Sequence, residues 1–474
     1  MFVRFVPRLA VGLACALAAV GDRAVANPDA AGPVPASPTL APSGADTAEP
    51  SDAGADFELV QPPSVVEPPV VGDSAAGVQP LPPTGELTLE FVQQLALSNN
   101  PSIHQAAAQV AALRGKWLQA GLAPNPTAGY VASEIGGDGS AGQQGGYVGQ
   151  QFITAHKLQR DRNIVAAEIA KAQQQLAAMQ VRVRTDVRQA YYRALLAQRR
   201  VEVAGDLTAV AESAATASQQ LYDAEEIPLA GLLQTEITQQ NAMVALRTAR
   251  NSHAQAWREL SAVVASDALP PQPLAGDISQ LPATLDWQQQ QMRILQSSPE
   301  VAAAMADVSR ARRALNRACV EPIPDVSTQV SVQYDASSQD TIAGVQIGVP
   351  LPLWNRNQGG IRQAQAEISA AVRNVDRVEQ QLSQRLAGAF RRYADALVTA
   401  QTYATEILPR SERTLALVRR GYDQGETGYL PLLAAQQTYF QANLAYLDAL
   451  GEVWDNHIFI DGLLLDGSLA ARAE

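Results

Sequence analysis

Between Val326 and Tyr334 apolar and small polar residues alternate without a break, the pattern of a strand with one apolar and one wet face. A polar turn, Asp335 to Asp340, precedes a second alternating run in which Val345, Ile347 and Val349 share one side. Gly344, Gln346 and Gly348 share the other. Each run has about the length a tilted strand needs to cross a bilayer. The hairpin is followed by Pro350-Leu351-Pro352-Leu353-Trp354-Asn355-Arg356-Asn357-Gln358 and then by a long helical pattern.

In that pattern Ile368, Val372, Val375, Leu382, Leu386, Phe390, Tyr393 and Leu397 recur at three- and four-residue steps or their sum. Ile169, Leu176, Met179, Val183 and Val187 do the same earlier in the chain. Such heptad-like stripes predict long helices. A helix from about Ile361 to Tyr422 would be roughly 90 Å long at 1.5 Å per residue. Its other positions are rich in Ala, Gln and Arg, which suits close packing against more than one neighbour or a wall facing water. Pro409, inside the pattern, is expected to kink or break it.

The pattern occurs twice. Asn100-Pro101-Ser102 is matched by Ser298-Pro299-Glu300, and Pro124-Asn125-Pro126 by Pro322-Ile323-Pro324. Ala166-Ala167-Glu168-Ile169 is matched by Gln365-Ala366-Glu367-Ile368. Leu221-Tyr222-Asp223 with Glu226 is matched by Gly421-Tyr422-Asp423 with Glu426. These anchors keep their order and almost their spacing, so the chain reads as a tandem duplication. Each half runs short helix, helix, Pro-x-Pro break, hairpin, very long helix, tight turn and return helix. The proline pairs break the helix because proline lacks a donor and restricts the residue before it. In the first half the hairpin is expected over Thr127 to Ile135 and Tyr147 to Ile153, where alternation is imperfect and the duplication carries the expectation.

Residues 1–26 read as an export signal, with Arg4 and Arg8 before a short apolar core and Ala24-Val25-Ala26 at the cleavage site. Cys15 lies in that core. The leucine of Gly12-Leu13-Ala14 is one place out of register for a lipobox, so a plain core cysteine is preferred over a lipoprotein. The mature chain then keeps Cys319 alone and can form no internal disulfide. Residues 27–86 are Pro- and Ala-rich without periodicity, a linker or disordered lead. The first repeat is placed at 87–284, the second at 285–466 and a tail at 467–474. The formal net charge of -12, with no basic stripe, argues against a nucleic-acid partner. His104, His156, His253 and His457 are far apart and show no metal-ligand spacing. No Gly-x-Ser-x-Gly elbow, Walker loop or dinucleotide fingerprint appears, so no catalytic, metal or cofactor site is expected. After the signal no apolar run is long enough for a membrane helix, so any insertion must use strands.

The signal, the duplicated plan and Arg420-Gly421-Tyr422-Asp423-Gln424-Gly425-Glu426 before an apolar return helix resemble the TolC-like outer-membrane efflux family. The turn Pro350 to Ile361 is similar to a motif of its cobalt-zinc-cadmium resistance branch. The resemblance spans about Leu87 to Leu465. It implies a mainly α fold with a small β part. Duplicated helix–β-hairpin–long helical hairpin units would build a trimeric α-helical barrel in the periplasm, joined to a transmembrane β-barrel. It further implies an outer-membrane location, a passive conduit, and as partners a periplasmic adaptor and an inner-membrane pump of the resistance-nodulation-division class. Heavy-metal cations rank first as cargo by this resemblance, with drugs or other small molecules also open.

By the same resemblance, Tyr222, Asp223, Glu225, Glu226, Tyr422, Asp423 and Glu426 would stand at a periplasmic tip that constricts and docks the adaptor. Acidic rings there would attract cations; the plainer reading is a solvated helix turn. Some family members carry gating aspartates just inside the return helix, where this chain has Pro431 and Ala434. Val326, Val330, Val332, Tyr334, Val345 and Ile347 are the expected lipid-facing positions. The competing reading is a soluble periplasmic coiled-coil adaptor or scaffold. An adaptor would carry one helical hairpin flanked by compact β-domains, and a scaffold would not need Pro-x-Pro breaks in register in both halves.

Overall fold

The computed structural model describes residues 86–470, apart from 137–138, 140, 266–269 and 425. All of them belong to one compact unit. The expected export signal and nearly all of the Pro-rich lead lie outside the described residues.

The first half contains α1 (Leu89–Asn99), α2 (Pro101–Gln119), β1 (Thr127–Ser133), β2 (Gln143–Phe152), α3 (Lys157–Asp223) and α4 (Leu229–Val264). In the second half, α5 (Trp287–Ser297), α6 (Pro299–Ala318), β3 (Val326–Asp335) and β4 (Asp340–Gly348) come first. Then follow α7 (Gln358–Thr402), a π-helical turn (Tyr403–Ile407), α8 (Leu408–Asp423) and α9 (Tyr429–Asp461).

Matching residues do matching work in the two halves. Asn100 and Ser298 each cap a helix whose first residue is proline, a position where the missing N–H costs nothing. Asn100 accepts from the Ser102 N–H at 3.0 Å, and Ser298 from the Glu300 N–H at 3.2 Å. His156 and Asn357, both left-handed (φ 53° and 55°), turn the chain from strand into the long helices α3 and α7. Asn357 also donates from Nδ2 to the carbonyl of Ala318 at 2.9 Å.

α3 is one helix of 67 residues, about 100 Å at 1.5 Å per residue. Its counterpart is not continuous. The expected helix from Ile361 to Tyr422 begins instead at Gln358 and is interrupted by the five-residue π turn that ends at Ile407, two residues before Pro409. Proline has no N–H and its ring crowds the preceding turn. One π turn opens that turn and lets the helix resume, with Pro409 in the first turn of α8.

The core lies at mid-height of the long helices. There Val183, Val187, Leu195 and Tyr191 of α3 meet Leu382 and Leu386 of α7, Leu260 of α4, and Leu450 and Val453 of α9. The buried Tyr191 hydroxyl lies 2.7 Å from the Leu87 carbonyl and 2.6 Å from that of Ala275, beside the parallel bridge Leu87–Leu274. Burial raises its pKa above the ordinary phenol value.

Strands β1 to β4 form one antiparallel sheet in chain order, leaving β1 and β4 as edges. The first hairpin starts where expected, but β1 stops at Ser133, and β2 begins at Gln143 rather than Tyr147. Ladder pairing supplies the order that the imperfect alternation hides, because glycines 145 and 146 of β2 sit opposite Gln333 and Val332. No helix of the described residues is long and apolar enough to cross a membrane.

Candidate functional site

Two regions carry the expected site residues, one at each end of the long helices. The sheet is the first. Its register puts Val148, Val330 and Val345 in one row, and Gly146, Val332 and Ala343 in the next. Val326, Tyr334 and Ile347 lie on that same face by the period of two. Of the six expected residues, all but the half-buried Val326 are exposed, Val345 at 73% and Ile347 at 67%. Tyr130, Val148 and Phe152 of the first hairpin join them. The opposite face carries Gln143, Gln329, Ser331, Gln333 and Gln346. The sheet is thus mainly apolar on one side, interrupted by Gln144, Gln150 and Thr328, and mainly amide- and hydroxyl-bearing on the other, which also carries Tyr147 and Ile342.

At the far end, the α3–α4 and α8–α9 turns are built alike. The Glu226 N–H donates to the Leu221 carbonyl at 2.8 Å and the Glu225 N–H to that of Tyr222 at 2.9 Å, a complete Schellman stop. Glu225 is left-handed at φ 63°, a conformation usually left to glycine. In the second turn the Glu426 N–H donates to the Gly421 carbonyl at 2.8 Å. A Cβ on Gly421 would lie 3.0 Å from Thr427 Oγ1, which itself donates to the Val418 carbonyl at 3.2 Å. Tyr422 meets Tyr429 edge-on, ring centroids 6.2 Å apart. Burial, then the neighbouring Tyr422, pushes the Tyr429 phenol up to about 12.

The two tips differ in charge. Between Arg200 and Arg247 the α3–α4 arm has no Lys or Arg, while Glu202, Asp206, Glu212, Asp223, Glu225, Glu226 and Glu236 are all acidic. Asp223 and Asp423 end their helices, but Asp423 and Glu426 have Arg419 and Arg420 close by in sequence. An uncompensated acidic arm creates a negative field that a mixed one does not. Tyr222 is exposed at its tip.

Sequence reasoning missed the ion pairs that tie the halves together. Glu300 of α6 is held between Arg182 of α3 (3.1 Å) and Arg385 of α7. Asp461 of α9 lies between Arg188 and Arg293 (3.1 Å to the latter). Burial alone would raise the Asp461 pKa, but the hydrogen bonds and charges of these two guanidiniums hold it below the usual carboxylate value. Each pair joins residues 85 or more positions apart, so no local pattern announces it. Among the described residues no three His, Cys, Asp or Glu side chains come together in a way that could hold a metal ion.

The exposed apolar sheet thus stands at one end of the long helices, of which α3 alone reaches about 100 Å. Residues 292–463 match the family described as Outer membrane efflux protein. The chain is similar to the cobalt-zinc-cadmium resistance protein CzcC of Cupriavidus metallidurans, with 26% identity over 402 residues, or 83% of this chain and 93% of that one. Its fold matches that of CusC (TM-score 0.63, 19% identity, 80% of this chain and 92% of the other). It also matches the open state of the MtrE outer membrane channel of Neisseria gonorrhoeae (TM-score 0.64, 18% identity, 80% and 89%). The second half of the chain thus matches the outer-membrane efflux family model, and most of the chain has the fold of outer-membrane efflux channels.

Proposed function

We propose that three copies of this chain close one barrel, and that it passes heavy-metal cations outward from an inner-membrane pump of the resistance-nodulation-division class, joined through a periplasmic adaptor. The observation that carries the reading is the four-stranded sheet, apolar on one face and open at both edges. Unpaired backbone groups at an edge cannot be left in lipid, so β4 of one copy pairing with β1 of the next is the economical solution. The apolar row through Val330 and Val345 then faces lipid, and the Gln- and Ser-rich face lines the water path.

The likeness to CzcC and the turn Pro350 to Ile361 support metal cargo. The tips bearing Tyr222, Asp223, Glu225, Glu226, Tyr422, Asp423 and Glu426 are the docking and constriction end. There the acidic α3–α4 arm raises the local cation concentration. The test is growth of a strain lacking the chain on cobalt, zinc and cadmium salts. Loss of tolerance, restored by the full-length chain, is expected. Unchanged metal tolerance with lost drug tolerance would replace the cargo and leave the channel standing.

A further inference from the structure

The two halves connect strand to long helix differently. In the first, residues 153–156 suffice between β2 and α3; in the second, residues 349–357 separate β4 from α7. The longer connection is apolar and uncovered. Val345 and Ile347 are followed, with the same parity, by Val349 and Leu351, exposed at 45% and 74%. Leu353 is also exposed, and Trp354 reaches 86%, the highest value of any large apolar side chain described. The stretch from Val349 to Trp354 holds no charge, and the exposed Arg356 follows it. Pro350 and Pro352 stiffen it, and the stretch from Pro350 to Trp354 forms one rim of an open cleft that Ser327 and Gln151 also line.

We propose that Val349 to Trp354 is a membrane-interface anchor that inserts into the periplasm-facing phospholipid leaflet of the outer membrane and fixes the depth of the channel. The proposal rests on the lipid-facing reading of the sheet, because this uncharged apolar stretch follows directly on β4, whose Val345 and Ile347 lie on the apolar face. The long helices leave from this end, so the loop lies where the bilayer gives way to the periplasm. An indole is at home in that zone, with its ring among acyl carbonyls and its N–H toward water. A guanidinium two residues on is placed to meet lipid phosphate. An anchor needs apolar side chains left largely exposed by the subunit, and Val349, Leu351, Leu353 and Trp354 are the exposed large apolar residues of this stretch.

The test uses the full-length channel in vesicles of phosphatidylethanolamine and phosphatidylglycerol, comparing wild type with Trp354→Phe. The five tryptophans make the difference between the two proteins the signal of Trp354 alone. Flotation with the vesicles first shows that each protein inserts. The expected result is a difference signal quenched by lipids brominated high on the acyl chain, less by lipids brominated near its end. Quenching by aqueous iodide alone would place the indole in the water path and overturn the anchor. Quenching by neither would mean burial against another copy and would overturn it too. Failure of the wild type to float would sink the barrel reading itself, a separate outcome. Leu351→Ser with Leu353→Ser, which leaves the indole in place, should shift the remaining Trp354 emission to the red.

Discussion

The ammonium of Lys157, the first residue of α3, lies 2.9 Å from Oδ1 of Asp325, the residue before β3. That one carboxylate oxygen also receives the Thr154 N–H at 2.9 Å. The pair ties the exit of the first hairpin to the start of the second, under the sheet. With Lys157 almost wholly buried, Asp325→Ala would strand a cation, at a cost of about 3 kcal/mol. Replacing both by Met and Leu should cost less. Thermal unfolding of the three proteins checks the order; equal losses would show that the pairing is immaterial.

The same contact sets a pH response. Burial would raise the Asp325 pKa, but the Thr154 N–H and the Lys157 hydrogen bond and charge bring it below the usual carboxylate value. A depressed folded value means that the stabilisation is present above the unfolded pKa of about 3.9 and is lost as pH falls through the folded one. Wild type should therefore lose stability relative to Asp325→Asn as pH drops below about 4. Parallel pH profiles would contradict this.

Val330 sits between Val148 and Val345 in the register, near the middle of its strand. Arginine at Val330 and at Val332 should each cost roughly 2–4 kcal/mol if these positions meet the bilayer midplane. Outer-membrane fractionation of the double variant reads this directly. Normal assembly would remove the lipid-facing assignment.

Tyr191→Phe removes the hydroxyl that the Leu87 and Ala275 carbonyls share. Loss of that buried partner should cost about 1–3 kcal/mol. Amide exchange should also speed up at Leu87 and Ala275, whose N–H groups hold the bridge to Pro273 and Leu87. An unchanged exchange rate there would mean that Tyr191 only fills space.

Pro409→Ala should let α7 and α8 join as one α-helix and slow hydrogen exchange over Tyr403–Ile407. If the π turn keeps its exchange rate, its cause is packing against α9 and not the proline.

Legibility in the sequence followed the range of the interaction. The duplication, the second hairpin and the long helices were readable, because periods of two and of three to four need only neighbours. Pro409 announced a break, but whether by kink or π turn depended on how α7 and α8 pack on α9. The first hairpin was blurred by Gly145, Gly146 and Gly149, which carry no side chain to alternate. At the sheet, the register puts the expected strand residues on one face. The charge asymmetry of the two tips is present in the sequence as a run without Lys or Arg, which belongs to no motif. Lys157–Asp325 and Arg182–Glu300–Arg385 could not be read, since each joins elements whose meeting only the tertiary fold decides.

The central claim is that the four-stranded sheet is one part of a closed barrel shared between copies. The direct test is the mass of the mature protein after outer-membrane fractionation and mild detergent extraction. The account predicts a detergent-dependent trimer from the outer-membrane fraction. A soluble periplasmic monomer or dimer would contradict it and return the chain to an adaptor or scaffold role.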